Sequence, residues 1–191
     1  EEVAASAATY DEACETVHQE PQLGTAHAVA QAAPLLAEAA GDAIVLYGDT
    51  PFIRAETLQA MQAARAQHAV VVLGFHAADP GRYGRLLTIG DTLLAIREFK
   101  DAKDEERAVT LCNSGVICAD AKTLFSLVAA VGNDNASGEY YLTDIVEIAR
   151  TRGLSAGVVI CDEAETMGIN TRTDLAKAEA AFQSRARAEA L

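Results

Sequence analysis

Apolar positions along the chain fall into short runs broken by glycine, proline and polar residues. Ile44-Val45-Leu46-Tyr47 ends at Gly48-Asp49, and four apolar or aromatic residues in a row read as a buried strand rather than a buried helix. Val70 to Phe75 is a longer run of the same kind. Leu86–Ile89 and Leu93–Glu98 flank Gly90-Asp91, which predicts a hairpin. Val109–Leu111 and Ser114–Cys118 frame Asn113, Gly157–Cys161 reads as the last strand, and Glu15–Gln19 alternates in a strand-like way. Helical spacing fills the intervals: Val3–Ala8, Ala26–Ala40 ahead of Gly41, Ala55–Gln67, Ala121–Val131, Tyr140–Arg150 and Thr173–Leu191. Thr25 stands where an N-cap would. Lys100–Arg107 has no apolar face and reads as an exposed loop or short helix. Strands alternating with helices predict an α/β fold with a mainly parallel sheet flanked by helices.

Composition narrows the class. The 191 residues suffice for one domain with a sizeable core. A net charge of −13 excludes a nucleic-acid or anionic-membrane surface, which needs basic patches. It leaves room for a nucleotide at one local site. Cys14, Cys112, Cys118 and Cys161 are scattered with no CxxC pair, so a disulfide framework is not expected and a reducing, cytoplasmic setting is. There is no signal peptide and no 18-residue apolar run, so no membrane insertion is expected.

Several stretches carry candidate chemistry, each with a plainer alternative. Asp49 stands at the carboxyl edge of a strand, where α/β sheets bind ligands and where a carboxylate suits a hard cation beside a phosphate; an Asx turn would look the same. Gly48 lets the chain turn there. Gln19 to His27 places two amides before a Gly24-Thr25 turn at a helix start, suited to a pyrimidine edge and to an anion. On spacing alone a surface loop with an N-cap has the greater weight, and His27 reads as structural. Gly81-Arg82-Tyr83-Gly84-Arg85 permits close approach to a ligand or enters a hairpin. Glu98 and Asn113 are polar beside apolar strand residues; they either grip sugar hydroxyls or form a satisfied buried pair. Gly138–Asp144 is rich in hydrogen-bonding groups, and a capped helix start would explain it too. Asn170 offers a magnesium-ligating carbonyl or a helix cap, the cap being the plainer reading. His18, His27, His68 and His76 have no acidic partner at a readable spacing, so no nucleophile–base set is assigned.

Taken together these stretches resemble one family. QLGTAHA, LYGDTP, GRYGR, IREFKDA, CNSGV, NDNASGEYYLTDI and MGINTRTDL follow the order and approximate spacing of the bacterial N-acetylglucosamine-1-phosphate uridyltransferase domain, from about Gln19 onward. In that family the domain has a nucleotidyltransferase fold, Rossmann-like and similar to GT-A, and precedes a left-handed β-helix that acetylates glucosamine-1-phosphate. The resemblance implies Mg2+ held by Asp49 and Asn170. It assigns Gln19, Gly24, Thr25, Tyr47 and Gly48 to the nucleotide, the first three at its uracil end. Gly84, Glu98, Asn113 and Thr143 go to the N-acetylglucosamine unit, with Tyr141 a weaker assignment. The substrates implied are UTP and N-acetylglucosamine-1-phosphate, the product serves peptidoglycan and lipopolysaccharide precursors, and the β-helix would make a homo-oligomer. No catalytic side chain is implied beyond the metal site.

Two departures accompany the resemblance. CNSGV has Ser114 where threonine is expected. The family's opening strand and its glycine-rich, cationic phosphate loop match nothing here, and the chain begins at Glu1 without methionine. Residues 1–172 are therefore expected to be a truncated nucleotidyltransferase domain, and 173–191 a helix leading towards the β-helix. The fragment by itself is expected not to catalyse transfer. Another sugar-1-phosphate nucleotidyltransferase, such as a thymidylyltransferase, and a non-catalytic sugar-nucleotide-binding subunit are the competing readings.

Overall fold

The computed structural model describes residues 2–189. Its centre is β2 (Val70–His76) paired with β5 (Leu111–Asp120). Both strands bury alternate side chains on opposite faces of the sheet. Val70 and Val72, with Ile117 and Ala119, join the larger core; Val71 and Leu73, with Val116 and Cys118, join the smaller one around Met61. A strand buried on both faces has no polar alternation, which is why VVVLGF reads as a continuous apolar run.

Around this pair the sheet runs β4 (Thr92–Arg97), β3 (Arg85–Ile89), β5, β2, β6 (Ala156–Ile160). A further strand, β1 (Asp42–Val45), pairs with the second half of β5. Helices α2 (Thr25–Ala30), α6 (Ala121–Val128) and α7 (Ile145–Thr151) contribute to the larger core, and α4 (Ala55–Ala64) brings Met61 to the smaller. Helix α1 is Glu2–Tyr10, α3 Ala33–Leu36, α5 Asp104–Arg107 and α8 Arg172–Glu189. Single turns of 3-10 helix occupy Leu142–Asp144 and Glu163–Thr166. No described helix is long and apolar enough to cross a membrane.

The fold is the expected mixed sheet flanked by helices, but its balance differs from a mainly parallel sheet. Among the described strands only β2–β6 is parallel; β1–β5, β2–β5, β3–β4 and β3–β5 are antiparallel. Alternation of strands and helices does not fix strand direction, because β5 runs opposite to all three of its neighbours.

Other boundaries move for local reasons. The expected helix over 26–40 breaks into α2 and α3 at Gln31-Ala32, because Pro34 lacks the N–H that would continue it. Glu15–Gln19 forms no strand and is largely exposed. The two short runs around Asn113 are one ten-residue strand. Between Val72↔Ile117 and Gly74↔Asn113 the register slips, so β5 carries a bulge at Ser114–Val116. Ser114 repairs it: its hydroxyl donates to the Leu73 carbonyl at 2.8 Å and accepts from Val116 N–H at 3.2 Å. The proposed end of the last helix at Leu191 lies, like Glu1, outside the described residues.

Candidate functional site

The carboxyl end of β1, the β5 bulge and the turns after Gly138 and Glu163 enclose a cleft of about 410 Å³. Thr25, Tyr47, Asp49, Gly84, Glu98 and Asn113 line it, as do Tyr141, Thr143 and Asn170. Of the residues expected at a site, Gln19, Gly24 and Gly48 do not line the cleft. The chain thus gathers residues from position 25 to position 170 around one space.

One wall is braced before any ligand arrives. Gly84 is buried, and a Cβ there would lie 3.3 Å from Ile96, 3.5 Å from Asn113 and 3.5 Å from the Glu98 carboxylate. The buried Thr143 hydroxyl donates to Glu98 Oε1 at 3.1 Å. Asn113 Oδ1 accepts the Gly115 N–H at 3.0 Å. Glu98 and Asn113 therefore each have their own partner and do not form the buried pair that was one alternative. Burial pushes the Glu98 carboxyl up, the Thr143 hydrogen bond opposes this, and Asp101 adds to it. Nearby Asp144 is pushed up to about 6, by burial first and Glu147 second, with Arg97 opposing.

Tyr47 leaves β1 and lies against Gly115, the glycine of the bulge. A Cβ at Gly115 would sit 2.1 Å from Tyr47 Cε2, and the backbone there has φ +90. Only glycine accepts both conditions. Burial pushes the Tyr47 phenol up, Glu98 adds to this, and the Thr25 hydroxyl opposes it.

The opposite wall is more open. Asp49 and Asn170 are both exposed. Their segments are tied by one backbone bond, Ile169 N–H to the Asp49 carbonyl at 2.8 Å. The helix cap that Asn170 was expected to supply belongs to Thr171 instead. Thr171 Oγ1 accepts Asp174 N–H at 3.1 Å, while Asp174 Oδ2 accepts Thr171 N–H at 3.0 Å and its hydroxyl at 2.8 Å. That reciprocal arrangement is a capping box, and the Asn170 backbone N–H only grazes the same carboxylate at 3.4 Å. A carboxylate and an amide carbonyl are hard oxygen donors, and two protein donors leave positions for phosphate oxygens and water, as Mg2+ prefers. The described residues hold no cluster of three or more His, Cys, Asp or Glu suited to a metal ion.

At the third side, Thr25 is the first residue of α2 and not its cap. Gly24 takes the cap position with φ 115, where a Cβ would meet the Tyr140 carbonyl oxygen at 2.6 Å. The Thr25 hydroxyl accepts Leu142 N–H at 2.9 Å, and Ala26 N–H donates to the Tyr140 carbonyl at 2.9 Å. These bonds lock the α2 turn onto the 140–142 segment. The Gln19 side-chain nitrogen donates to the Gly24 carbonyl at 3.0 Å and lies 3.0 Å from His27 Nδ1, so this amide is engaged within the chain. Gly48 does not need to be glycine to turn the chain: its φ is not left-handed, and nothing lies within 4 Å of a Cβ there.

Arg82, Tyr83, Ser114, Gly115, Glu139, Thr166 and Gly168 also line the cleft, and sequence reasoning gave none of them an individual role, although all but Thr166 lie in stretches it quoted. Most sit one or two positions from a residue that was singled out. Glu165 is different. Buried to 5% exposure, it accepts Arg54 N–H at 3.0 Å and the Thr57 hydroxyl at 2.7 Å. It so caps α4 from more than a hundred residues away, at the end where the helix dipole favours a carboxylate.

The model of the nucleotidyl transferase family matches residues 4–168. The chain is 70% identical over all 191 residues to a protein of Cereibacter sphaeroides described as bifunctional protein GlmU, and 60% identical over its full length to the one from Ruegeria pomeroyi. It spans 42% of the length of either. Among solved structures, UDP-glucose pyrophosphorylase complexed with UDP-glucose has the same fold, with a TM-score of 0.61 at 17% identity over 82% of this chain and 62% of that one.

Proposed function

The chain belongs to the nucleotidyl transferase family, and we propose that its cleft serves uridylyl transfer from UTP to N-acetylglucosamine-1-phosphate, making UDP-N-acetylglucosamine. The observation that carries this reading is the convergence of two unlike walls on one space: a braced polar wall of Gly84, Glu98, Asn113 and Thr143, and an open wall with Asp49 and Asn170.

The braced wall binds the sugar. The Glu98 carboxylate accepts from a hydroxyl, and the Asn113 amide nitrogen donates to one, while Gly84 keeps the space free of a side chain. Thr25, Tyr47 and the α2 turn border the nucleotide. Asp49 and Asn170 would hold Mg2+, which would supply neutralisation of phosphate charge. The sugar phosphate oxygen then forms its bond to the α-phosphorus in line as the bond to the β-phosphate oxygen breaks, and pyrophosphate departs. Both nucleophile and leaving group are already anionic, so the protein's contribution is positioning and charge stabilisation.

The test is to measure binding by the chain itself, and turnover after grafting these 191 residues into a full-length relative in place of their match. UTP with N-acetylglucosamine-1-phosphate and Mg2+ should release pyrophosphate faster than dTTP or glucose-1-phosphate combinations do. A preference for dTTP would move the chain to a different base specificity, and binding without turnover in the graft would make it a binding module.

A further inference from the structure

The cleft is an acidic place in an acidic chain. Its lining includes Asp49, Glu98 and Glu139, and the chain carries −13 overall. A phosphate ester entering such a cleft needs local positive charge. Arg82 is the only lysine or arginine among the described residues that line it. It is exposed, and among the described residues no hydrogen bond or ion pair engages its guanidinium.

The loop that presents Arg82 is stiff. Its brace is Arg85, buried to 2% exposure, whose guanidinium donates to the carbonyls of Gly81 and Arg107 at 3.0 and 3.3 Å and to that of Tyr83. Asp79 accepts the Gly81 N–H at 3.1 Å, and Tyr83 N–H donates to the Pro80 carbonyl at 3.1 Å. The Tyr83 ring stands edge-on to the buried Phe75 at 5.0 Å. The same stretch is tied to both walls. The Gly84 carbonyl accepts Asn113 N–H at 2.8 Å on the sugar side. Ala78 N–H donates to Glu163 at 3.2 Å, and the turn beginning there leads to Asn170 on the metal side. Burying one arginine to hold a five-residue loop leaves the other at the seam of the two walls, with its backbone already ordered.

We propose that Arg82 binds the phosphate of the incoming sugar 1-phosphate, a role that rests on the uridylyl-transfer reading and adds a specific contact to it. The phosphate of that substrate must lie between the sugar and the metal-held nucleotide, which is where the two tethered ends of the loop meet. A guanidinium suits it because its planar fork matches two phosphate oxygens.

The experiment is a titration of the chain with N-acetylglucosamine-1-phosphate, unphosphorylated N-acetylglucosamine and UTP, in wild type, Arg82→Gln and Arg82→Lys. An exposed side chain is not needed for folding, so the variants should melt as wild type does. Arg82→Gln should weaken binding of the phosphate ester about tenfold, the usual scale of a hydrogen bond to a charged group. It should leave the unphosphorylated sugar unchanged, and Arg82→Lys should recover part of the loss. Wild-type affinity for the ester in Arg82→Gln, with UTP and ester both bound by wild type, overturns this inference and leaves the uridylyl-transfer reading standing. Equal weakening of the ester and the free sugar also overturns it, since charge is then not what the residue reads. A wild-type chain that binds neither UTP nor the ester overturns the uridylyl-transfer reading, and the inference with it.

Discussion

The two walls of the cleft are built on opposite plans. The braced wall is made of residues in or beside β3, β4 and β5, with Thr143 in a 3-10 turn, and its polar atoms already have protein partners: Glu98 with Thr143 and Asn113 with Gly115, while Gly84 is enclosed by Ile96. The open wall is made of residues just beyond β1 and before α8, with Asp49 and Asn170 exposed. On the proposed reading, a sugar at the first wall meets a preformed pattern, whereas phosphate and metal at the second would complete a site that the chain supplies only in part. Shape selectivity belongs on the stiff wall, where ordering costs have been met on folding. Charge neutralisation tolerates the looser wall, because an ion organises its own donors.

This contrast can be broken experimentally. The largest effect should come from the open wall: Asp49→Ala in the grafted enzyme should lower kcat by at least about 10²-fold, the scale of a lost charge-stabilising contact. Its melting temperature should scarcely move, since the side chain is exposed; a large loss of stability would mean that Asp49 holds the fold. The next effect lies at the hinge between the walls. Gly115→Ala must move the Tyr47 ring and strain the backbone, and should cost roughly 2–4 kcal/mol in urea unfolding. An unchanged midpoint would show that Tyr47 does not rest on the bulge. On the stiff wall, Asn113→Ala should raise KM for the sugar phosphate by roughly tenfold and leave KM for UTP nearly unchanged, given about 1–3 kcal/mol for an unpaired buried group. An equal rise in both would indicate general damage to the cleft.

The smallest effect sharpens the comparison through pH. Asp144, beside the stiff wall, has its carboxyl raised from 3.8 to about 6 in the folded chain. Between these values the folded state binds more protons than the unfolded one, so this group's contribution to stability falls as pH rises from about 4 to 6 and stays low above. Asp144→Asn should therefore melt higher than wild type near neutral pH, and the difference should shrink towards pH 4. The group is half-buried, so solvent screening keeps the effect modest. A difference that does not vary with pH would assign it to packing.

What the sequence made legible follows the range of the interaction involved. β2 and the β3–β4 hairpin were readable because burial on both faces and a Gly-Asp turn are local patterns. The break at Pro34 was readable too, and was overlooked although proline states it directly. The β5 bulge was not, because a bulge exists only relative to a partner strand. Most of the cleft residues were found as motifs carried by family resemblance, not by periodicity. Thr171 and Asn170 illustrate the limit: both suit a cap by composition, and only the hydrogen bonds to Asp174 show which one takes it, leaving the other for chemistry. Glu165 and Arg54 could not have been connected from spacing at all.

The position of β5 has a kinetic consequence. β1, β2 and β3 all pair with it, and all precede it in the chain: Asp42 finds its register against Asp120, Val70 against Ala119 and Arg85 against Cys112. During synthesis those earlier strands emerge with no central partner to receive them. Non-local pairing of this kind slows folding, because loop closure must precede the contacts that reward it. Refolding followed by pulsed hydrogen exchange should show β1 and β2 gaining protection together, when β5 enters, and not in the order in which they leave the ribosome.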